Sequence, residues 1–402
     1  MIHRLRELES EGNRLRIGLA GAGAMGRGIA MQVGVTPGME LSWVVDCNNA
    51  AAEEAVRLAG TGTVYTSVAE ALEADEVNVF VEATNSIAAA ADYCLAAIEA
   101  SADVVLMNAE VDLAVGAALN EAATEAGVVV TSDAGDQHGV LATMIDEAEL
   151  MGFEIVQAGN IKGFLDEAAT PESIRIEAEK RKLSAQQCCA YTDGTKLHIE
   201  MAVLANGYGY LPPDGGMRGT RAESVHEALS AFDLDSYNNQ ARIDYLLGAE
   251  PGGGVYLIVK KCDKLPEDQD FLLNYYKLGD GPYYLLYRPY HLCHLETPRA
   301  IAQVALDGQA VLSPRHGRLT DVYAYAKRKL KAGELLAEGL GSAEVFGRVQ
   351  RASTGDAGAQ VPICLLEESY EVVEDIEKGQ TLTFSNIKVS EGSLFRLWKS
   401  QF

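Results

Sequence analysis

Basic residues are scarce in this sequence. Its 402 residues include 33 lysines and arginines against 58 aspartates and glutamates, which gives a formal charge of −25. Proteins that bind nucleic acid or anionic membranes generally need clustered lysine and arginine side chains. We therefore expect neither nucleic acid nor membrane as a partner. A negatively charged small-molecule substrate would need a local basic pocket.

Cysteine motifs and long apolar runs are missing as well. The seven cysteines are scattered without C-x-x-C spacing, which predicts neither a disulfide framework nor a zinc knuckle. No apolar run approaches the length of a membrane span, and residues 1–14 form a charged stretch without the apolar centre of a signal peptide. With 48% hydrophobic residues, we expect a globular, cytoplasmic protein of two or three domains.

A glycine motif stands near the start of the sequence. Gly21, Gly23 and Gly26 have G-x-G-x-x-G spacing in LRIGLAGAGAMGRGIA (15–30), between an apolar strand-like run and a helical stretch expected over 25–33. Together with Ala24 and Met25, these glycines are the expected cofactor contacts of the turn. Strand, glycine turn and helix is the order of a dinucleotide-binding motif. The alternative is a glycine-rich turn that binds no ligand.

Asp46 supports the dinucleotide interpretation. It ends the next apolar run, 20 residues beyond Gly26, where an acid that binds the adenosine ribose is expected. No arginine or lysine follows it directly, which favours NAD over NADP.

Strand-like and helical segments alternate up to about residue 158. Strands are expected at 77–83, 104–108, 128–132 and 153–158, and helices near 48–60, 86–100, 111–126 and 138–150. This alternation predicts an α/β fold with a parallel sheet. We expect a Rossmann domain at 1–160, an α+β catalytic and oligomerisation domain at 161–317, and a small β-rich domain at 318–402.

Several motifs resemble those of known oxidoreductases. VFVEATNS (79–86), VVLMNAEVD (104–112), SDAGDQHG (132–139) and GNIKGF (159–164) are similar to homoserine dehydrogenase-like Rossmann enzymes. With YRPYHLCHLETP (287–298), the chain most resembles the 1-deoxy-D-xylulose 5-phosphate reductoisomerase-like family. Its C-terminal part resembles a SAF domain, a small β-clip. The resemblance adds Ala83, Thr84 and Asn108 to the expected cofactor contacts and implies NADPH, against the preference that Asp46 predicts.

The resemblance also implies catalytic residues. Lys196 is preceded by Asp193, similar to the Asp and Lys pair of homoserine dehydrogenases, although here the spacing is one residue shorter. Lys162 follows the last expected Rossmann strand, and a desolvated lysine can exchange the proton that accompanies hydride transfer. Asn108 is followed by Ala109 rather than the lysine of homoserine dehydrogenases, which argues against homoserine as the substrate.

Polar side chains are dense in SDAGDQHG, where Asp136, Gln137 and His138 follow a strand. They could orient substrate, relay a proton or, through Asp136, bind Mg²⁺ or Mn²⁺, or they could cap a helix. His291, with His294 and Glu296, could bind a metal or belong to a packed segment. His291 is also expected to contact substrate. Further substrate contacts are expected from three arginines, Arg218, Arg221 and Arg288.

We therefore expect an NAD(P)-dependent oxidoreductase that acts on a small keto-sugar or polyol, phosphorylated or not, and that forms a homo-oligomer. A dehydrogenase of a cell-envelope sugar is one alternative. A nucleotide- or sugar-sensing protein without turnover is an alternative of another class.

Overall fold

The computed structural model describes residues 1–181, 183–266, 268–352 and 359–402. The chain forms two compact units, each built from separate stretches of sequence. The first unit contains Met1–Asp136, Leu292–Pro314 and Ser390–Phe402, and the second contains Gln137–His291 and Arg315–Val389. The three-domain division expected from the sequence stays a prediction.

The elements are numbered in chain order. The strands are β1 (Leu15–Ala20), β2 (Met39–Val45), β3 (Thr63–Tyr65), β4 (Val79–Glu82), β5 (Asp103–Leu106), β6 (Val130–Ser132), β7 (Phe153–Lys162), β8 (Thr220–Arg221), β9 (Arg242–Leu247), β10 (Val255–Lys261), β11 (Tyr283–Arg288), β12 (Thr320–Ala326), β13 (Leu335–Leu336), β14 (Val345–Arg351), β15 (Tyr370–Val372) and β16 (Ile387–Lys388). The α-helices are α1 (Ile2–Ser10), α2 (Ala24–Val35), α3 (Asn49–Ala59), α4 (Val68–Ala74), α5 (Ile87–Glu99), α6 (Ala109–Ala126), α7 (Gln137–Leu150), α8 (Pro171–Arg181), α9 (Ala185–Thr192), α10 (Thr195–Tyr208), α11 (Ala228–Ala231), α12 (Gln269–Tyr275), α13 (Thr297–Asp307) and α14 (Ser393–Lys399).

The first unit is built on a parallel sheet in the order β3-β2-β1-β4-β5-β6. The strand order reverses direction between β1 and β4, and the ends of these two strands define the crevice where open α/β sheets bind ligands. Local signals fix the helices that connect the strands: Ser67, Ser86 and Asn108 cap α4, α5 and α6 through their side chains. The expected Rossmann architecture and the α/β class are confirmed.

Two later stretches of the chain complete the first unit. Helix α13 packs against β4, β5 and β6, and α14 packs against α5 and α6. Trp398 of α14 is 2% exposed, and Gln401 donates a 2.8 Å hydrogen bond from Nε2 to Ala114 O on α6. Helix α14 and Gln401 therefore form part of the first unit, whose sheet begins with β1 at residue 15.

The second unit contains a five-stranded mixed sheet in the order β11-β10-β7-β9-β8. One face packs around the buried side chains of Ile161, Leu246 and Tyr256. Helix α7 packs against β7 and β10, and α10 packs against α7 and β9. Helix α7 and strand β7, which the sequence analysis expects within the Rossmann domain at 1–160, both belong to this second unit.

The short strands near the C-terminus belong to the second unit too. β12 pairs with β14, β13 pairs with β15, and β15 pairs with β16. Helix α10 packs against both β12 and β14. The β-rich character expected for 318–402 is present, while a SAF domain stays a prediction, and residues 353–358 of that range lie outside the described residues.

The described residues include no helix both long enough and apolar enough to cross a membrane. All seven cysteines are described and all are free thiols.

Candidate functional site

The glycine turn between β1 and α2 has the close contacts that the motif requires. Gly21 has a φ of +94°, and a Cβ there would lie 2.4 Å from Ala83 O. A Cβ on Gly26 would lie 1.9 Å from Gly21 O. Gly23 differs, because among the described residues no atom other than those of its own chain neighbours lies within 4 Å of the position of its Cβ. Gly23 and Ala24 are exposed and Met25 is half-buried, so the N-terminus of α2 is open to an anion such as a pyrophosphate.

The Asp46 carboxylate forms hydrogen bonds with the backbone of this turn. Its Oδ2 accepts a 2.5 Å hydrogen bond from Ala22 N, and its Oδ1 accepts a 2.7 Å bond from Asn48 N. The carboxylate thus links the glycine turn to the start of α3. The half-buried position of Asp46 at the end of β2 matches that of a ribose-binding acid.

The residues that follow β4 lie next to the glycine turn. Thr84 donates a 2.8 Å hydrogen bond from its backbone N to Glu82 Oε1, and its hydroxyl also donates to Glu82. Asn108 Nδ2 donates to Thr84 O at 3.2 Å, while Asn108 Oδ1 accepts from the first turn of α6. Ala83, Thr84 and Asn108 therefore lie around the end of β4, where the sequence places them.

Glu82 is a residue that the sequence analysis did not select. It is 0% exposed, and its Oε2 has no hydrogen-bond partner among the described residues. Burial raises the pKa of this carboxyl to about 8, and the charge of Glu110 adds to the effect. The sequence signal for Glu82 was an acid within the apolar run VFVE. Burying an unpaired carboxylate costs free energy, so an acid in a buried strand is unusual. Glu82 is neutral over most of the physiological pH range and fixes the 83–84 turn.

These contacts fit a dinucleotide. The open space at Gly23, the exposed start of α2 and the acid at the end of β2 supply the sites for pyrophosphate and ribose. The cofactor residues predicted from the sequence all lie at one end of the first unit's sheet, at the ends of β1, β2, β4 and β5.

In the second unit, basic side chains end three strands that run in the same direction. Lys162 ends β7, Arg221 ends β8 and Arg288 ends β11. β10 is antiparallel to both β7 and β11, and β7, β9 and β8 are parallel, so all three basic residues lie at one end of the sheet. Register pairs place Arg288, Val255 and Asn160 in one row, and Lys162, Leu247 and Arg221 in another.

Asn160 lies on the same face of the sheet as Lys162, two residues later. It is 0% exposed, and neither atom of its carboxamide has a hydrogen-bond partner among the described residues. Its register partner Tyr245 meets the ring of His198 edge-on, at 6.2 Å between ring centroids. His198 belongs to α10, so Asn160 points to the face that α10 covers. Nothing in the sequence distinguished this asparagine within the strand.

The start of α7 contributes two further predicted residues. Gln137 and His138 are 5% and 1% exposed. Gln137 Nε2 and His291 Nε2 lie 3.3 Å apart, within hydrogen-bond distance. Gln137 and His291 therefore form a polar pair in the second unit, joining residues that are 154 positions apart in sequence.

Asp193 has a partner that the sequence did not indicate. Lys327 Nζ donates a 2.8 Å hydrogen bond to Asp193 Oδ2 and also donates to Ala169 O and Ser342 O, at 2.7 and 2.6 Å. Asp193 Oδ1 accepts from Thr195 N at the start of α10. Burial raises the pKa of Asp193 although Lys327 opposes the shift. The pair anchors the N-terminus of α10.

Lys196 is half-buried in the first turn of α10. Its Nζ lies 5.4 Å from the centroid of the Tyr191 ring, a cation–π distance. The catalytic roles predicted for Lys196, Lys162, Asp193 and His138 stay predictions.

The remaining predicted substrate residues differ in position. Arg218 is exposed, and its backbone N donates to the buried Asp244 at 2.9 Å. Arg221 is exposed at the end of β8. The Arg288 guanidinium lies 4.7 Å from the centroid of the Tyr290 ring. Their proposed contacts with substrate stay predictions.

Asp136 lies in a turn of the first unit that Asp133 organises. Asp133 Oδ2 accepts hydrogen bonds from Gly135 N and Asp136 N, at 2.6 and 3.3 Å. Burial raises the pKa of Asp133 to about 7, and the charge of Asp136 contributes. The metal role predicted for Asp136 stays a prediction.

The two other residues named with His291 have structural contacts. Glu296 Oε2 accepts a 3.0 Å bond from Leu292 N, and His294 packs against Gly28 of α2. Both contacts favour the packed-segment interpretation for Glu296 and His294.

No curated protein matches the chain. Among solved structures, the chain is similar to GenD2 from gentamicin A biosynthesis in complex with NAD, at 17% identity and a TM-score of 0.41, covering 76% of this chain and 90% of that one. It is similar to a myo-inositol dehydrogenase from Corynebacterium glutamicum, at 13% identity, a TM-score of 0.43 and coverages of 74% and 90%. A probable dehydrogenase from Thermotoga maritima gives 15% identity, a TM-score of 0.44 and coverages of 75% and 92%. These likenesses are remote.

Two family models match the sequence more directly. Residues 21–132 match the NAD binding domain of homoserine dehydrogenase, which spans the glycine turn, Asp46 and the β4 and β5 ends. Residues 135–297 match the catalytic domain of oxidoreductase DRL, which includes Asn160, Lys162 and Lys196. The chain therefore joins an NAD-binding domain to an oxidoreductase catalytic domain, and it is an NAD(P)-dependent oxidoreductase.

Proposed function

We propose that this oxidoreductase reduces a small phosphorylated keto-sugar, and oxidises the corresponding hydroxy compound in the reverse direction. The observation that carries the proposal is the basic end of the second unit's sheet. The chain as a whole has a formal charge of −25. At this end of the sheet, however, three strands finish with a basic residue, namely Lys162, Arg221 and Arg288. Such a local concentration of cations suits an anionic substrate.

Strand spacing limits which of these cations can meet one phosphate. Neighbouring strands lie about 4.8 Å apart, so β7 and β11, separated by β10, are roughly 10 Å apart. The long side chains of Lys162 and Arg288 can converge across that gap. Arg221 and Arg288 lie on opposite edge strands, roughly 19 Å apart by the same spacing. We therefore assign Lys162 and Arg288 to the same substrate molecule and leave Arg221 out of that pair.

Asn160 adds a group that can recognise a sugar hydroxyl or carbonyl. A carboxamide offers two N–H donors and an acceptor oxygen, and here both ends are buried without a partner among the described residues. An orphaned buried amide costs stability, and a ligand that satisfies both ends would offset that cost. A keto-sugar presents a carbonyl next to hydroxyl groups, which matches this pair of donor and acceptor.

The proposed reaction transfers a hydride and a proton. The glycine turn, Asp46 and Thr84 would hold the dinucleotide, which supplies the hydride that goes to the substrate's carbonyl carbon. The carbonyl oxygen then gains negative charge and takes a proton. A lysine ammonium is a suitable donor, and Lys196 and Lys162 are the proposed groups. The sequence resemblance makes 1-deoxy-D-xylulose 5-phosphate the first substrate to test.

The test follows oxidation of NADH and NADPH by absorbance with 1-deoxy-D-xylulose 5-phosphate, with and without Mg²⁺ or Mn²⁺. The same sugar without its phosphate is the matched control, and we expect it to have a KM at least 10-fold higher. Turnover of unphosphorylated keto-sugars alone would contradict the phosphate assignment. If dinucleotide binds and no keto-sugar is turned over, the proposal is wrong.

A further inference from the structure

Three consecutive glycines, the 252–254 loop, lead directly into β10 in the second unit. Strand β10 pairs with β7 on one side and with β11 on the other, and it is antiparallel to both. The start of β10 therefore lies at the same edge of the sheet as the ends of its two neighbours. Those neighbours end in Lys162 and Arg288, so the loop lies between the two cations assigned to the substrate.

Backbone contacts hold the loop against both neighbouring strands. Ile161 N donates a 2.9 Å hydrogen bond to Gly254 O. A Cβ on Gly254 would lie 2.1 Å from Arg288 O, and a Cβ on Gly163 would lie 3.4 Å from Gly252 O. The loop is thus close to the residue on each side of the lysine that ends β7, and a side chain at position 254 would collide with the end of β11.

Two backbone N–H groups of the loop are available to a ligand. Gly252 N donates a 2.8 Å hydrogen bond to Ala249 O, whereas the N–H groups of Gly253 and Gly254 have no acceptor among the described residues. Gly252 and Gly254 have φ of +77° and +89°, and Gly253 between them lies outside the left-handed region. Successive N–H groups in a turn of this kind form a concave site for an anion.

The space over the loop is open. Apart from chain neighbours, no atom of the described residues lies within 4 Å of a Cβ built on Gly252 or Gly253. Glycine-rich loops that bind phosphate need such space, because the anion has to reach the backbone N–H groups directly.

A buried carboxamide next to the loop independently indicates a ligand. Asn160 and Arg288 both pair with Val255, the first residue of β10, so their side chains lie on one face of the sheet. Asn160 is 0% exposed, and its carboxamide has no hydrogen-bond partner in the described part of the chain. A molecule bound at this edge would satisfy both the carboxamide and the loop.

We propose that the 252–254 loop binds the phosphate group of the substrate. The N–H groups of Gly253 and Gly254 donate to phosphate oxygens, and Lys162 and Arg288 balance the phosphate charge from the two neighbouring strands. Asn160 then binds the sugar part of the same molecule. The inference rests on the proposed function, which supplies the phosphorylated sugar, and it assigns the main phosphate contacts to backbone rather than to side chains alone.

Selective isotope labelling isolates the amides concerned. The sequence contains three Gly–Gly peptides, whose second residues are Gly216, Gly253 and Gly254. The full chain, labelled with ¹³C-carbonyl glycine and ¹⁵N glycine, therefore gives three signals in an NMR experiment that correlates each amide with the preceding carbonyl. Gly216 N already donates a 2.9 Å hydrogen bond to Pro213 O, so its signal is the internal control.

Inorganic phosphate, titrated at constant ionic strength, should shift the Gly253 and Gly254 signals and leave the Gly216 signal in place. The phosphorylated sugar, 1-deoxy-D-xylulose 5-phosphate, should shift the same two signals at lower concentration. Gly253 and Gly254 signals that neither ligand moves would overturn the inference, even if the phosphorylated sugar is reduced. Shifted signals without any turnover would refute the proposed reaction and leave the loop as a phosphate site.

Gly253→Asp and Gly253→Asn form a matched pair, because the two side chains are similar in size and only the aspartate is charged. We expect the Kd of the phosphorylated sugar, measured by titration calorimetry, to be about 10-fold or more higher in the Asp variant, since like charges repel. The Kd of the same sugar without its phosphate should be similar in both variants, which would show that the site still folds. Equal Kd values for the phosphorylated sugar in the two variants would contradict the role of the loop.

Discussion

Lys327 and Asp193 form a buried ion pair, with 2.8 Å between Nζ and Oδ2 and side chains that are 3% and 0% exposed. Removing one partner of such a pair leaves an uncompensated charge, which costs about 3–5 kcal/mol. We expect Lys327→Met to lower the free energy of unfolding by about that amount, as measured by urea denaturation.

The double variant Lys327→Met with Asp193→Asn should recover most of the loss, because neither charge is then buried alone. Lys329→Met, which removes an exposed lysine paired with Glu377, is the control and should change stability little. A Lys327→Met protein as stable as the wild type would show that the pair contributes nothing.

Gly23→Ala tests the open side of the glycine turn. Apart from its chain neighbours, the added methyl meets no atom of the described residues within 4 Å, so we expect normal folding and thermal stability. It would occupy the space over the start of α2 and weaken dinucleotide binding at least 10-fold, measured by quenching of protein fluorescence. Gly253→Ala, which also has open space at its Cβ, should bind like the wild type. Unchanged affinity in Gly23→Ala would place the pyrophosphate elsewhere.

Glu82 predicts a pH dependence of stability. Its pKa rises from 4.5 to about 8 in the folded protein, so between these values the folded state holds a proton that the unfolded state releases. The stabilising contribution of this group is complete below pH 4.5 and is lost as the pH rises toward 8. The free energy of unfolding therefore falls by at most about 1.4 kcal/mol per pH unit. Glu82→Gln cannot ionise, so its stability relative to the wild type should increase across this window.

Urea denaturation at several pH values would measure that difference. Glu110, Asp112 and Cys94 also interact electrostatically with this region, and they remain in both proteins. Glu125→Gln, exposed on α6, should follow the wild-type curve. Parallel curves for wild type and Glu82→Gln would contradict a raised pKa.

The two lysines can be ranked by kinetics. We expect Lys196→Ala to lower kcat by about 10²-fold or more, the range for losing a positioned acid–base group, with the Kd for dinucleotide unchanged. Lys162→Ala should mainly raise the KM of a phosphorylated substrate if it binds the phosphate. Full activity in Lys196→Ala would transfer the proton-donor role to Lys162, whose replacement should then lower kcat.

Asn160→Leu separates stability from function. It removes a buried amide that has no hydrogen-bond partner among the residues the structure describes, so we expect a gain of about 1–3 kcal/mol in the free energy of unfolding. The KM for substrate should rise at least 10-fold, because the amide is proposed to bind the sugar. Asn206→Leu is the control: Asn206 is also buried but bonds to the backbone of Leu319 and Thr320, so its loss should destabilise. Equal destabilisation by both would contradict the role of Asn160.

The first unit was largely predictable because its signals are local. A glycine turn between a strand and a helix, an acid after the next strand and capping residues such as Asn108 each act over a few positions. The helix expected near 86–100 is α5, Ile87–Glu99. The sequence could not show that α13 and α14 pack on the first unit, because the pattern of an amphipathic helix does not specify which surface its apolar face contacts.

The second unit was less predictable because its contacts join distant residues. Lys327 is 134 positions from Asp193, and no spacing rule connects them. Asn160 lies in a strand whose other residues are mostly apolar. It is distinguished by a carboxamide that has no hydrogen-bond partner within the described part of the chain, and this depends on the tertiary fold rather than on local sequence.

The position of α14 has a consequence for synthesis. Trp398 is buried and Gln401 bonds to α6, so the fold that starts at β1 lacks part of its packing until α14 has left the ribosome. At about 5–20 residues per second, helices α5 and α6 would wait on the order of 15–60 seconds with an apolar surface uncovered. During that interval, the uncovered apolar surface is a binding site for chaperones on the nascent chain.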